Sequence, residues 1–260
     1  MSDILNIIAA LAKKRCEENK KAIPEPEIKK RCEALPRLDF KFERALKKDD
    51  IAFICECKKA SPSKGLIAPD FNYLEIAKDY ERAGADCISV LTEPEKFLGS
   101  DKYLREIAAA VKIPCLRKDF TIDRYMIYEA RILGAQAVLL ICSILSKQEI
   151  KDYLSLCDEL GLSSLVEAHT DQEIDIALEC GARVIGVNNR NLRDFTVDVS
   201  NSRRLRQMVP QDKIFVSESG VKTAEDVKIL RQIGADAVLV GETLMRSTDK
   251  VEKLRELKGI

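Results

Sequence analysis

Between Ile51 and Gly65 the chain reads IAFICECKKASPSKG, an apolar run that ends in a carboxylate and two ammonium groups. Side chains on a strand alternate between faces, so Ile54, Glu56 and Lys58 share one face while Phe53, Cys55 and Cys57 take the other. Glu56 and Lys58 thus sit together at the exit of a strand, a pairing suited to acid–base work. Ser61-Pro-Ser-Lys-Gly65 follows, a loop whose hydroxyls and free N–H groups suit an anion. Taken alone, the same residues also describe a plain turn with a surface Glu–Lys pair.

What must position them is a repeat. ERAGADCISVLTE (81–93), RILGAQAVLLICS (131–143), ECGARVIGVNNR (179–190) and RQIGADAVLVGE (231–242) share one plan: a helix end, Gly-Ala, a polar or basic residue, then an apolar strand. ELGLSSLVEAH (159–169) is a looser copy. The glycines suit helix C-caps that need positive φ. Two gaps in the series are about twice as long as the others. Lys112-Ile-Pro-Cys-Leu-Arg-Lys118 and Asp212-Lys-Ile-Phe-Val-Ser-Glu218 fill them with strands that lack the glycine. With Ile51–Lys58 this makes eight strands, each followed by an amphipathic helical stretch such as 71–80 or 224–230. Eight βα units closing on themselves predict an α/β fold, the (β/α)₈ TIM barrel. An open doubly wound sheet would give the repeat no reason to stop at eight. The first 48 residues read as a helical extension of the same single domain, residues 1–260, because no linker composition separates them. Ile4, Leu5, Ile7, Ile8 and Leu11 mark its first helix, with Ser2 or Asp3 available as cap, and 25–34 its second.

A barrel places chemistry at the strand exits. Strand one ends in Glu56 and Lys58, strand three in Lys118, strand five in Glu167, strand six in Asn188 and Arg190, strand seven in Glu218. Parity turns Lys118, Glu167, Asn188 and Glu218 inward with Leu116, Leu165, Gly186 and Val216. Buried ions are costly unless paired, so lysines and glutamates converging in one mouth would compensate and shift one another. Phosphate has its own address in such barrels, the loops after strands seven and eight. Here they read Ser217-Glu-Ser219-Gly220 and Val240-Gly241-Glu242-Thr243. Gly220 and Gly241 let backbone approach an anion, and Ser61 and Ser63 lie where they could close the site. His169, the single histidine, offers a general base two residues past Glu167, but reads better as a polar loop residue.

Composition narrows the classes. Forty-three basic residues balance 43 acidic ones, so no net field draws the chain to nucleic acid or to an anionic membrane. Nine cysteines, scattered mostly through apolar runs, read as reduced core thiols of a cytoplasmic protein. Cys55 and Cys57 form a lone C-x-C beside a single histidine, so no metal site is expected. The N-terminal stretch lacks basic residues ahead of its apolar part and runs into charge, unlike a signal sequence. No stretch has the ~20 apolar residues needed to span a bilayer.

E-x-K-x-x-S-P-S-K-G (56–65), V-L-T-E with F-x-G-S (90–100), R-K-D-F (117–120), L-V-E-A-H (165–169), G-V-N-N-R-N-L (186–192), S-E-S-G (217–220) and V-G-E-x-L-M (240–245) follow in order. On these motifs the chain resembles the indole-3-glycerol phosphate synthase family over nearly its whole length. The resemblance implies a carboxy-lyase of tryptophan biosynthesis. It would convert 1-(2-carboxyphenylamino)-1-deoxyribulose 5-phosphate to indole-3-glycerol phosphate, with loss of CO₂ and water. It implies Lys118 as general acid, Glu167 as base or stabiliser of the cationic intermediate, and Lys58 as a second acid. Glu56 would orient the lysines, and Asn188 and Glu218 would hold substrate hydroxyls and amine. Arg190 would meet the anthranilate carboxylate or the phosphate, and Phe97 and Phe120 would face the aromatic ring. Ser61, Ser219, Gly220, Gly241 and Glu242 complete the substrate and phosphate side. No cofactor is expected, and the partner is a phosphorylated small molecule met by a monomer or weak homo-oligomer.

Two other readings compete. A phosphoribosylanthranilate isomerase would be expected to set Cys and Asp at the strand exits, where Lys and Glu stand here. A silent metabolite-binding barrel would have no need of two lysines around a carboxylate.

Overall fold

Each apolar run of the repeat forms a strand: β1 (Ala52–Cys57), β2 (Cys87–Leu91), β3 (Cys115–Lys118), β4 (Ala137–Ile141), β5 (Ser163–Ala168), β6 (Val184–Asn188), β7 (Ile214–Glu218) and β8 (Ala237–Val240). In the computed structural model, which describes residues 3–191 and 195–260, every strand pairs in parallel with the next, and β8 pairs with β1 to close the barrel. Ser2 as a cap and Leu192, the last residue of the GVNNRNL motif, lie outside the described residues.

The strands are mostly apolar up to their carboxyl ends because both faces are covered. Ala52, Ile54, Leu116, Leu139, Leu165, Val216 and Leu239 fill the barrel interior. Phe53, Cys55, Val90, Val138, Leu140, Val166, Phe215 and Val238 face outward into the layer beneath the helices. Fully burying one such Leu or Val contributes about 1.5–3 kcal/mol, so a one-residue slip would cost several such burials on every strand. Register also sets the site: Glu167 lies opposite Gly186, and Asn188 opposite Glu218.

The helices following the strands are α4 (Tyr73–Arg82), α5 (Asp101–Ala110), α6 (Arg124–Ile132), α7 (Lys147–Leu160), α8 (Asp171–Glu179), α9 (Ser200–Arg206), α10 (Ala224–Gln232), and α11 (Glu242–Arg246) with α12 (Lys250–Lys258) after β8. Their starts are written locally: Ser146 with Glu149 and Thr223 with Asp226 form capping boxes. The repeat glycines Gly84, Gly134, Gly161, Gly181 and Gly234 all take positive φ.

Three helices precede the barrel: α1 (Asp3–Ala22), α2 (Glu25–Glu33) and α3 (Lys41–Leu46). The segment 40–46 reads in the sequence merely as an approach to β1, but it forms α3. Six residues are too few to show a helical period, and the tertiary setting decides it. Phe42 and Leu46 are buried in the interior cluster, and Arg183 holds Glu43 with two bonds of 2.9 and 3.0 Å. Backbone bonds from Leu38 to Leu160 and from Phe40 to Gly161 stitch the extension to the end of α7. Between β1 and α4, residues 60–61 and 65–66 pair as a short antiparallel ribbon beside the mouth.

Candidate active site

The carboxyl ends of the strands open into a cavity of about 610 Å³. The residues assigned to catalysis or substrate from the sequence line it: Glu56, Lys58, Ser61, Phe97, Lys118, Phe120, Glu167, Asn188, Arg190, Glu218, Ser219, Gly220, Gly241 and Glu242. His169 does not line it and stands behind Glu167.

At the centre, the Lys118 ammonium donates to Glu167 Oε2 at 3.1 Å and lies 3.5 Å from Glu218 Oε2. Burial alone would push the Lys118 ammonium down, but Glu167, Glu218 and Glu56 outweigh it and hold the group cationic, well above the usual lysine range. Lys58 donates to Glu56 Oε1 at 2.6 Å, the pair foreseen from strand parity. That pair lies over the exit of β8. A Cβ at Gly241 would stand 2.4 Å from Glu56 Oε1 and 3.0 Å from Lys58 Nζ, so only glycine leaves room for it.

The two inner carboxylates differ. Glu167 is pulled below its ordinary range: burial works to raise it, but Lys118, His169 and the bond from Asn188 prevail. Glu218 is pushed up to about 8, by burial first and by the neighbouring negative Glu167 and Glu56, against the pull of Lys118. Its Oε1 is buried with no hydrogen-bond partner among the described residues. A Cβ at Gly186 would stand 2.2 Å from that oxygen, so glycine on the adjacent strand β6 leaves room for the Glu218 carboxyl where it lies. Environment thus pushes the proton affinities of two adjacent carboxylates apart, Glu167 down and Glu218 up, which suits them to opposite proton-transfer roles.

Asn188 ties the wall together. Its Nδ2 donates to Glu167 Oε1 at 3.3 Å, and its Oδ1 accepts from Ser219 Oγ and from the Arg190 backbone N–H, both at 3.0 Å. Phe97 and Phe120 stand with ring centroids 6.3 Å apart on the apolar side. On the opposite side, Ser219 and Gly220 both take positive φ, at 67° and 98°, which turns the loop after β7 around the cavity wall. Glu242 carries the same sign as a phosphate. Its carboxylate lies 3.1 Å from Arg246, 3.7 Å from Arg190 and 3.9 Å from Lys64, so it gathers cations at that wall. Among the described residues, no group of three or more His, Cys, Asp or Glu side chains is placed to hold a metal ion, and no helix is long and apolar enough to cross a membrane.

Some lining residues escape the sequence reading. Ile4, Leu5 and Ile8 of α1 face the cavity, although the helical period marks only an apolar stripe and not what it covers. Lys64, Lys222 and Arg246 add positive charge; Lys64 sits inside the quoted SPSKG loop, and charge in a loop carries no address of its own. The R-K-D-F motif hides a second ionic cluster, around Arg117 and Asp119.

The family model described as indole-3-glycerol phosphate synthase matches residues 5–257. The chain belongs to the indole-3-glycerol phosphate synthase family. The indole-3-glycerol phosphate synthase of Ruminiclostridium cellulolyticum is 56% identical over 257 residues, covering 98% of this chain and 99% of that one. The synthase of Endomicrobium trichonymphae is 55% identical over 256 residues, with the same coverage. Among solved structures, the 3-hexulose-6-phosphate synthase of Salmonella typhimurium superposes with a TM-score of 0.67 at 13% identity, over 80% of this chain and 97% of that one. At that identity the likeness concerns the barrel alone.

Proposed function

We propose that this chain closes the indole ring of 1-(2-carboxyphenylamino)-1-deoxyribulose 5-phosphate, releasing CO₂ and water to give indole-3-glycerol phosphate. The observation that carries the proposal is the Lys118 ammonium, clasped by Glu167 and Glu218 on the same cavity as the Lys58–Glu56 pair. In the first step, the ring carbon bearing the carboxylate attacks the substrate's ketone carbon. The carbonyl oxygen gains electron density and takes a proton from Lys118, whose cationic form the carboxylates maintain. The cyclised intermediate carries positive charge at nitrogen. Glu167, ionised at neutral pH, lies close enough to Lys118 to stabilise that charge.

Loss of CO₂ returns the bonding electrons to the ring. Dehydration then needs an acid for the departing hydroxyl and a base for the ring proton, for which Lys58 and Glu167 are assigned. Glu56 orients Lys58, and Glu218, whose carboxyl burial pushes up, can in its protonated form donate to a substrate hydroxyl. Phe97 and Phe120 take the aromatic ring, and Arg190 its carboxylate or the phosphate. The phosphate is assigned to the wall of Ser61, Ser219, Gly220, Gly241 and the cations gathered by Glu242. Both reactive ends of one flexible substrate held face to face supply much of the rate. Among the described residues no cysteine lines the cavity, which disfavours the isomerase alternative.

The test is direct: purified chain mixed with the carboxyphenylamino-deoxyribulose phosphate should develop indole fluorescence. Absence of the product at high enzyme concentration would refute the assignment.

A further inference from the structure

His169 is a buried titratable group that the reaction scheme leaves unused, and its setting is unusual. It follows β5 directly, and its ring lies between two carboxylates: Nε2 is 3.5 Å from Glu167 Oε1, and Nδ1 is 3.5 Å from Glu173 Oε2. Both ring nitrogens are buried, and neither has a hydrogen-bond partner among the described residues, so the two carboxylates face the ring at ion-pair distance. A neutral imidazole carries one N–H and one lone pair, so it would turn that lone pair toward a carboxylate oxygen. Only the imidazolium offers an N–H to both.

The clamp is built from two elements. Glu173 stands in the first turn of α8, where Thr170 caps its N–H, and its Oε2 accepts the His169 backbone N–H at 2.6 Å. Asn201 on α9 donates to the His169 carbonyl at 3.3 Å. Glu218 on β7 adds negative charge at longer range, and Lys118 on β3 holds the other oxygen of Glu167. We propose that His169 is a positioning residue of the site: as an imidazolium clamped between Glu167 and Glu173, it keeps Glu167 ionised and aimed at Lys118. This rests on the assignment of Glu167 made above. Burial works to lower the His169 ring, yet Glu173 and Glu167 raise it above the ordinary histidine value, in keeping with the geometry.

His169 lies outside the cavity wall, so its loss should touch kcat and its pH dependence and leave KM nearly alone. Activity falls in acid as Glu167 takes a proton. Removing the cation behind Glu167 raises the pH at which that happens, so in His169→Gln the acid limb of kcat moves up by about one pH unit. A side chain that merely fills space would lower the plateau without moving the limb. Glu173→Gln, which leaves the histidine in place, should move the limb the same way by less, and it serves if the first variant fails to fold.

A second readout needs no turnover. The chain has one histidine, so its imidazole carbon-bound protons titrate unambiguously by NMR. The midpoint should lie above the usual ~6.5 and fall in Glu173→Gln. A wild-type midpoint at or below the usual value, or an unmoved acid limb in both variants, overturns the proposal. If the wild type forms no indole product, the functional assignment fails, while the NMR titration still decides whether His169 is the clamped cation.

Discussion

Lys118 and Arg117 are neighbours on β3 that face opposite ways, and each sits among carboxylates. Arg117, 1% exposed, spends its guanidinium on Thr92 at 3.2 Å, Met126 O at 3.0 Å, Glu129 at 3.3 Å and Asp101 at 2.9 Å. Asp119 accepts two 2.7 Å bonds from Arg15 and further bonds from Thr92 and the Phe120 N–H. The Lys118 cluster is looser: its carboxylates reach 3.1 and 3.5 Å, Glu218 Oε1 is unpartnered among the described residues, and an open cavity adjoins it. Both clusters bear the desolvation cost of buried charge. One uses up its hydrogen-bonding capacity on itself and so fixes structure. The other keeps capacity in reserve for a molecule that arrives from outside.

Substitution should split the two. Lys118→Ala is expected to lower kcat by about 10²–10⁴-fold, with KM changed far less and the urea midpoint close to wild type. Steady-state kinetics on the indole product check this, and turnover within tenfold of wild type would remove Lys118 from its role. Arg117→Met, one residue away, should do the reverse. It removes the buried cation shared by Asp101, Asp119 and Glu129, with an expected loss of about 3–5 kcal/mol in urea unfolding. The variant molecules that remain folded should turn over within a few-fold of wild type.

Glu218 sharpens the contrast, because function there opposes stability. Its ordinary 4.5 rises to about 8 in the folded chain, so the folded state holds that proton more tightly than the unfolded one. The resulting stabilisation is complete below pH 4.5 and is lost as pH climbs through 8. Glu218→Gln keeps the shape without the titration. Relative to wild type, its melting temperature should therefore climb between pH 5 and 8 and level off above, while its kcat falls. Parallel pH–stability curves for the two proteins would mean that Glu218 titrates normally.

The barrel was legible because it repeats. The Gly-Ala breaks and apolar runs announce eight strands, and a period of two then assigns Glu56, Lys118, Glu167 and Glu218 to the inside without further information. The candidate site was legible for a related reason, since charges at inward positions of buried strands have no ordinary explanation. Arg117 and Asp119 lie inside the R-K-D-F motif, yet nothing in it announces their cluster. Their partners Arg15, Asn19, Asp101 and Glu129 lie on three helices, and no local period predicts which helix faces the flanks of β3. The same holds for α1. Its stripe of Ile4, Leu5 and Ile8 announces a buried face, but that this face roofs the cavity depends on where Arg15 and Lys20 fasten the helix.

Arg15 therefore makes the finest test of how far the two clusters communicate. It is the α1 side of the satisfied cluster, and its two bonds reach Asp119, the residue next to Lys118. Arg15→Ala leaves Asp119 with Thr92 and Arg117, so the stability loss should be modest, about 1–3 kcal/mol. The helix keeps Asn19 on Glu129 and Lys20 on Asp123, but its first two turns lose their nearest anchor. KM should then rise a few-fold as Ile4, Leu5 and Ile8 loosen over the substrate, with kcat held because Lys118 keeps Glu167 and Glu218. A fall in kcat at constant KM would show instead that strain passes through Asp119 into the acid itself, and that the two faces of β3 are not independent.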